Sequence, residues 1–108
     1  MTTVVIQIGN SDDKLSQREW SKFVEELREV IEDFADEVHF SGGSPTDAGW
    51  QNWCIVFELR TKAPIGVNIM RITDDAILLL RQEMSDLALR YQQDSIAMTV
   101  GKTTMVEP

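Results

Sequence analysis

Near the start of the chain Val4, Ile6 and Ile8 alternate with Val5 and Gln7, the period of a strand with one wholly apolar face. Gly9 to Asp13 follows as a run of turn-favouring residues. The period then changes. Trp20, Phe23, Val24, Leu27, Ile31 and Phe34 recur at steps of three and four, which predicts an amphipathic helix from Gln17 to Ala35. Ser16 and Glu19 have the spacing of a capping box at its start, and Leu15 and Trp20 that of a hydrophobic staple.

Beyond this helix Val38 and Phe40 read as the inward side of a short strand, which puts His39 on the opposite side. Ser41 to Gly49 is rich in Gly, Ser, Pro and Asp and reads as a long polar loop, a natural place for binding. Trp53, Ile55, Phe57 and Leu59 alternate with Asn52, Cys54, Val56 and Glu58 in the strongest strand. Arg60 to Pro64 turns the chain, and Ile65, Val67 and Ile69 alternate as a weaker strand. Thr73, Asp74 and Asp75 announce a second helix, with Ile77, Leu80, Met84, Leu87, Ala88 and Tyr91 on one face and Gln92 to Asp94 closing it. Ile96 to Val100 and Thr103 to Val106 flank Gly101 and Lys102 as the arms of a hairpin would.

Two helices that each need an apolar face to cover, and strands that supply one, predict a single α+β domain over residues 1–108. The expected arrangement has both helices packed on one face of a mostly antiparallel sheet. It is ferredoxin-like, a split βαβ unit with an added strand or hairpin.

Charge changes the functional picture more than the fold. Eighteen acidic against ten basic residues give a net charge of −8, which disfavours direct binding of nucleic acid or of an anionic membrane. Glu25, Glu29, Glu32 and Asp33 on the outer face of the first helix form a candidate acidic interface, although Lys22 and Arg28 interrupt it. Cys54 is the only cysteine, and no apolar run approaches the roughly 18 residues that span a bilayer. A cytoplasmic location is the expectation.

Chemistry-bearing residues are few. His39 is the only histidine, the side-chain type whose charge ordinarily changes near neutral pH, yet no second base can be placed beside it by spacing. Cys54 lies within a strand and lacks the basic surroundings of a reactive thiol. No metal-ligand spacing is recognisable, so neither a metal nor another cofactor is expected. Gly42, Gly43 and Ser44 have the composition of an anion-cradling nest, and Trp50 and Asn52 that of an interface or small-ligand pocket. His39 and Asp47 complete the set of candidate binding residues at that end of the sheet.

Three stretches, Ile6 to Leu15, Val38 to Ser44 and Gln93 to Ala97, resemble segments of small acidic accessory proteins of unassigned function from actinobacteria and their phages. The resemblance implies a bacterial cytoplasm, in some cases during bacteriophage infection, and brings no catalytic residues with it. Taken together, the expectation is a non-enzymatic interaction protein that binds a protein partner or forms a homodimer. The rival is a nucleotide- or metabolite-binding protein, or a simple enzyme, with a pocket near residues 41–53.

Overall fold

Four strands and two helices make up the computed structural model, which describes residues 1–10, 14–45, 51–61 and 68–108. In chain order these are β1 (Thr2–Gly9), α1 (Gln17–Phe34), β2 (Ala35–Gly43), β3 (Asn52–Leu59), α2 (Ile69–Arg90) and β4 (Ala97–Lys102). The strands form one antiparallel sheet in the order β2-β3-β1-β4. Each helix therefore connects two strands that have a third strand between them, the split βαβ pattern repeated twice. This is the ferredoxin-like α+β arrangement.

Both bonds of the capping box at the start of α1 are present. The Glu19 amide donates to Ser16 Oγ at 3.1 Å, and the Ser16 amide donates to the Glu19 carboxylate at 3.1 Å. The Ser16 bonds hold the Glu19 carboxyl below the ordinary carboxylate range. At the other end Ala35 is both the C-cap and the first residue of β2, so helix and strand join without a loop. Arg60 crosses from the end of β3 to finish the junction. Its amide donates to the Phe34 carbonyl at 2.8 Å and its guanidinium to the Ala35 carbonyl at 3.0 Å, which places positive charge at the negative end of the helix dipole.

A single core lies between the helices and one face of the sheet. Val4, Ile6 and Ile8 from β1 and Ile55, Phe57 and Leu59 from β3 meet Trp20, Phe23, Leu27 and Ile31 of α1 and Leu80, Met84 and Leu87 of α2. Burying each such side chain contributes roughly 1.5–3 kcal/mol against the entropy of ordering the chain. No described element covers the other face of the sheet, and the Cα body measures 49 × 37 × 18 Å, thin enough for only two layers.

Four expectations need correction. The second helix starts at Ile69, capped by the Asn68 side chain accepting from the Met70 amide at 3.0 Å, so Thr73, Asp74 and Asp75 lie within the helix. Ile69 is thus helical rather than part of a strand, while 65–67 fall outside the described residues. Neither an added strand nor a hairpin appears among the described residues, because β4 ends at Lys102 and 103–108 are not in strand. Ser41, Gly42 and Gly43 belong to β2 and not to a loop.

The fourth correction is the side on which Phe40 lies, since Val38 and Phe40 do not share the inward face. The pairing of β2 with β3 shifts between Ala35 and Glu37 and again between Val38 and Phe40. Each shift adds one residue to β2 and reverses which residues face the core. Val38 pairs with buried Phe57, but it sits on the outermost strand and stays 44% exposed. Phe40 pairs with Val56 on the uncovered face and is 55% exposed.

Candidate functional site

The uncovered face takes its composition from the positions that alternate with the core. Val5, Gln7, Cys54 and Val56 occupy its centre, and Phe40 and Gly42 lie over the β2 side through their pairing with Val56 and Cys54. The Phe40 ring bends across Gly42, whose missing Cβ would stand 3.1 Å from the ring edge. Beside it Gln7, Phe40, Gly42, Asn52 and Cys54 line a shallow depression of about 540 Å³.

Gly43 is required for a different reason. A Cβ there would come within 1.9 Å of the Asn52 carbonyl oxygen and 2.7 Å of Trp53 Cα. Only glycine lets β2 approach β3 this closely. Ser44 then ties off the pair, its amide donating to the Asn52 carbonyl at 2.9 Å and its hydroxyl accepting from the Asn52 amide at 2.9 Å. Gly42, Gly43 and Ser44 are therefore an extended strand and its terminus, with no concave anion nest.

Of the residues singled out from sequence, the structure groups Gly42, Gly43, Ser44 and Asn52 at the β2–β3 end of the sheet. Asp47 and Trp50 lie outside the described residues. His39 stands apart from the depression and joins two residues that spacing could not connect. Glu37 and Glu58 are directly paired across β2 and β3, and the His39 imidazole lies beside them. The ligand atoms of the three side chains all lie within 4.8 Å of one another. The signal for this cluster is the strand register, which the two shifts in β2 conceal from any reading of alternation.

Another missed feature is structural. Asn10 is 3% exposed at the end of β1. Its amide nitrogen donates to the Leu15 carbonyl at 2.9 Å and to the Gln51 side-chain oxygen at 3.2 Å, and its side-chain oxygen accepts from the Leu15 amide at 3.0 Å. Its backbone N–H donates to the Gln51 carbonyl at 2.8 Å. One buried amide thus joins β1, the start of α1 and the start of β3.

Glu25, Glu29, Glu32 and Asp33 are all exposed on α1, and Arg28 sits among them beside a second shallow hollow. Along the opposite margin, α2 and β4 enclose a groove lined by Ile77, Arg81, Met84, Ile96, Met98 and Val100. No described helix is long and apolar enough to cross a membrane. Comparison with protein-family models, with curated proteins and with solved structures finds no match.

Proposed function

We propose that the protein is a non-enzymatic cytoplasmic interaction module that pairs with a second copy of itself through the free edge of β4. The observation that carries this reading is the contrast between the two edges of the sheet. The β2 edge is interrupted by two register shifts and carries Asp36, Glu37 and His39 exposed, features that block strand addition. The β4 edge pairs with β1 in unbroken register from Ala97 to Lys102, and a regular edge strand offers an unpaired row of amides and carbonyls.

Charge supports the same edge. The groove between α2 and β4 holds Arg81 and Lys102 against Asp74 and Asp94, whereas α1 and β2 carry eight of the eighteen acidic residues. Antiparallel pairing would bring the Lys102 end of one strand towards the Asp94 end of the other. It would also cover Met98 and Val100, which β1 leaves half-buried or exposed. The resemblance to small acidic bacterial and phage proteins fits a binding role. The depression beside Phe40 and Cys54 would serve the rival small-ligand reading, but it is shallow, and small molecules favour concave sites that bury most of their surface.

Analytical ultracentrifugation tests the proposal. The wild-type chain should sediment at twice its mass of 12.3 kDa, and Val100→Lys and Thr99→Lys should each shift it to the single mass with an unchanged circular dichroism spectrum. A wild type that is monomeric at its solubility limit would overturn it. So would a dimer that survives both β4 substitutions and dissociates with Glu25→Lys and Glu29→Lys.

A further inference from the structure

We infer that Glu37, His39 and Glu58 form a binding site for a first-row divalent transition ion, with zinc the fitting example, on the uncovered face of the sheet. The three side chains offer one imidazole nitrogen and two carboxylate oxygens within 4.8 Å of one another. Around a tetrahedral ion with bonds of about 2.0–2.2 Å, ligand atoms stand about 3.4 Å apart. Closing to that distance needs only rotation of side chains that are exposed at Glu37 and His39 and half-buried at Glu58. The backbone beneath them is fixed by the β2–β3 ladder.

A second observation is independent of the ligand distances. Glu37 and Glu58 are direct partners across an antiparallel pair, where like charges repel. Among the described residues neither carboxylate forms an ion pair or hydrogen bond, and no described lysine or arginine neutralises the pair. A bound cation would turn this repulsion into attraction and clasp the edge strand to its neighbour.

The donor set selects the class of ion. Imidazole together with carboxylate suits zinc and its neighbours, whereas magnesium and calcium favour all-oxygen shells. Three protein ligands would leave one position of a tetrahedral ion open to water or to a group on another molecule. A net charge of −8 raises the cation concentration around the protein.

The test is calorimetric titration of the intact protein with zinc chloride, paired with thermal melts. Wild type should bind one ion per chain and melt at a higher temperature with zinc. His39→Ala and Glu58→Gln should each weaken binding tenfold or more, while Glu29→Gln on α1 leaves it unchanged. Without metal, Glu58→Gln should melt at or above the wild-type temperature, because it removes the repulsion; this result separates loss of ligands from loss of fold. The inference is overturned by the lack of saturable binding, by binding that persists in both site variants, or by magnesium and calcium binding as tightly as zinc.

Discussion

Tyr91 stacks on Phe23 with ring centroids 4.7 Å apart and planes 14° from parallel, so the C-cap of α2 grips the second turn of α1. Arg90, the residue before it, donates a 2.7 Å hydrogen bond to the Glu26 carboxylate. Burial, followed by the Glu26 carboxylate, pushes the Tyr91 hydroxyl up from 10.0 to about 12. The Tyr91 hydroxyl in turn is the main cause that holds the Glu26 carboxyl below its ordinary range, with Arg90 adding to it.

Tyr91→Phe keeps the ring and removes the hydroxyl that favours the charged Glu26 carboxylate. It should lower unfolding stability by about 1 kcal/mol at neutral pH, measured by urea denaturation. The Glu26 contribution is present above pH 4.5 and lost as pH falls through the lowered value in the folded protein. The gap between wild type and variant should therefore narrow in acid. On the alkaline side the tyrosine contribution is complete below pH 10.0 and disappears as pH rises towards 12.

Asn10→Ala should be among the most damaging single substitutions of a polar residue. It leaves the Leu15 amide and carbonyl without their side-chain partners in a buried site, and unmet buried groups cost about 1–3 kcal/mol each. A fall of about 3 kcal/mol in urea unfolding is expected. A change below about 0.5 kcal/mol, the scale of ordinary surface substitutions, would contradict this role.

Gly43→Ala should destabilise the chain by about 2 kcal/mol or more, because the new methyl meets backbone atoms that have no rotamer to adopt. Gly101→Ala is the matched control, since a Cβ there meets nothing within 4 Å. Melting temperatures of the two variants should differ by several degrees.

Gln92→Gly should stabilise. Gln92 has φ 55°, the left-handed conformation, and follows Tyr91 in a Schellman turn in which the Gln93 amide donates to the Ala88 carbonyl at 2.8 Å. Relief of strain should outweigh the extra freedom of glycine in the unfolded chain, for a net gain of about 0.5–1 kcal/mol.

What could be read from the chain was whatever depended on neighbours in sequence. Ser16 and Glu19 are three residues apart and specify the start of α1 by themselves, and the alternation from Trp53 to Leu59 identifies both faces of β3. The sequence points to a late start for α2 because Thr73-Asp74-Asp75 has the composition of a cap, while Asn68, an equally good cap, precedes Ile69 and Met70, which look extended. Alternation alone puts Phe40 on the wrong face because it assumes a regular ladder, and each register shift reverses it. Glu37 and Glu58 are distant in sequence, and only the pairing of β2 with β3 makes them neighbours.

A sheet roofed on one side alone gives successive residues of β1 and β3 separate obligations. Ile6 and Phe57 answer to the interior, whereas Val5 and Val56 can be exchanged with far less penalty to folding. The bare surface is thus ground on which recognition can be rewritten, by selection or by an engineer, while the hidden half of the same strands preserves the architecture.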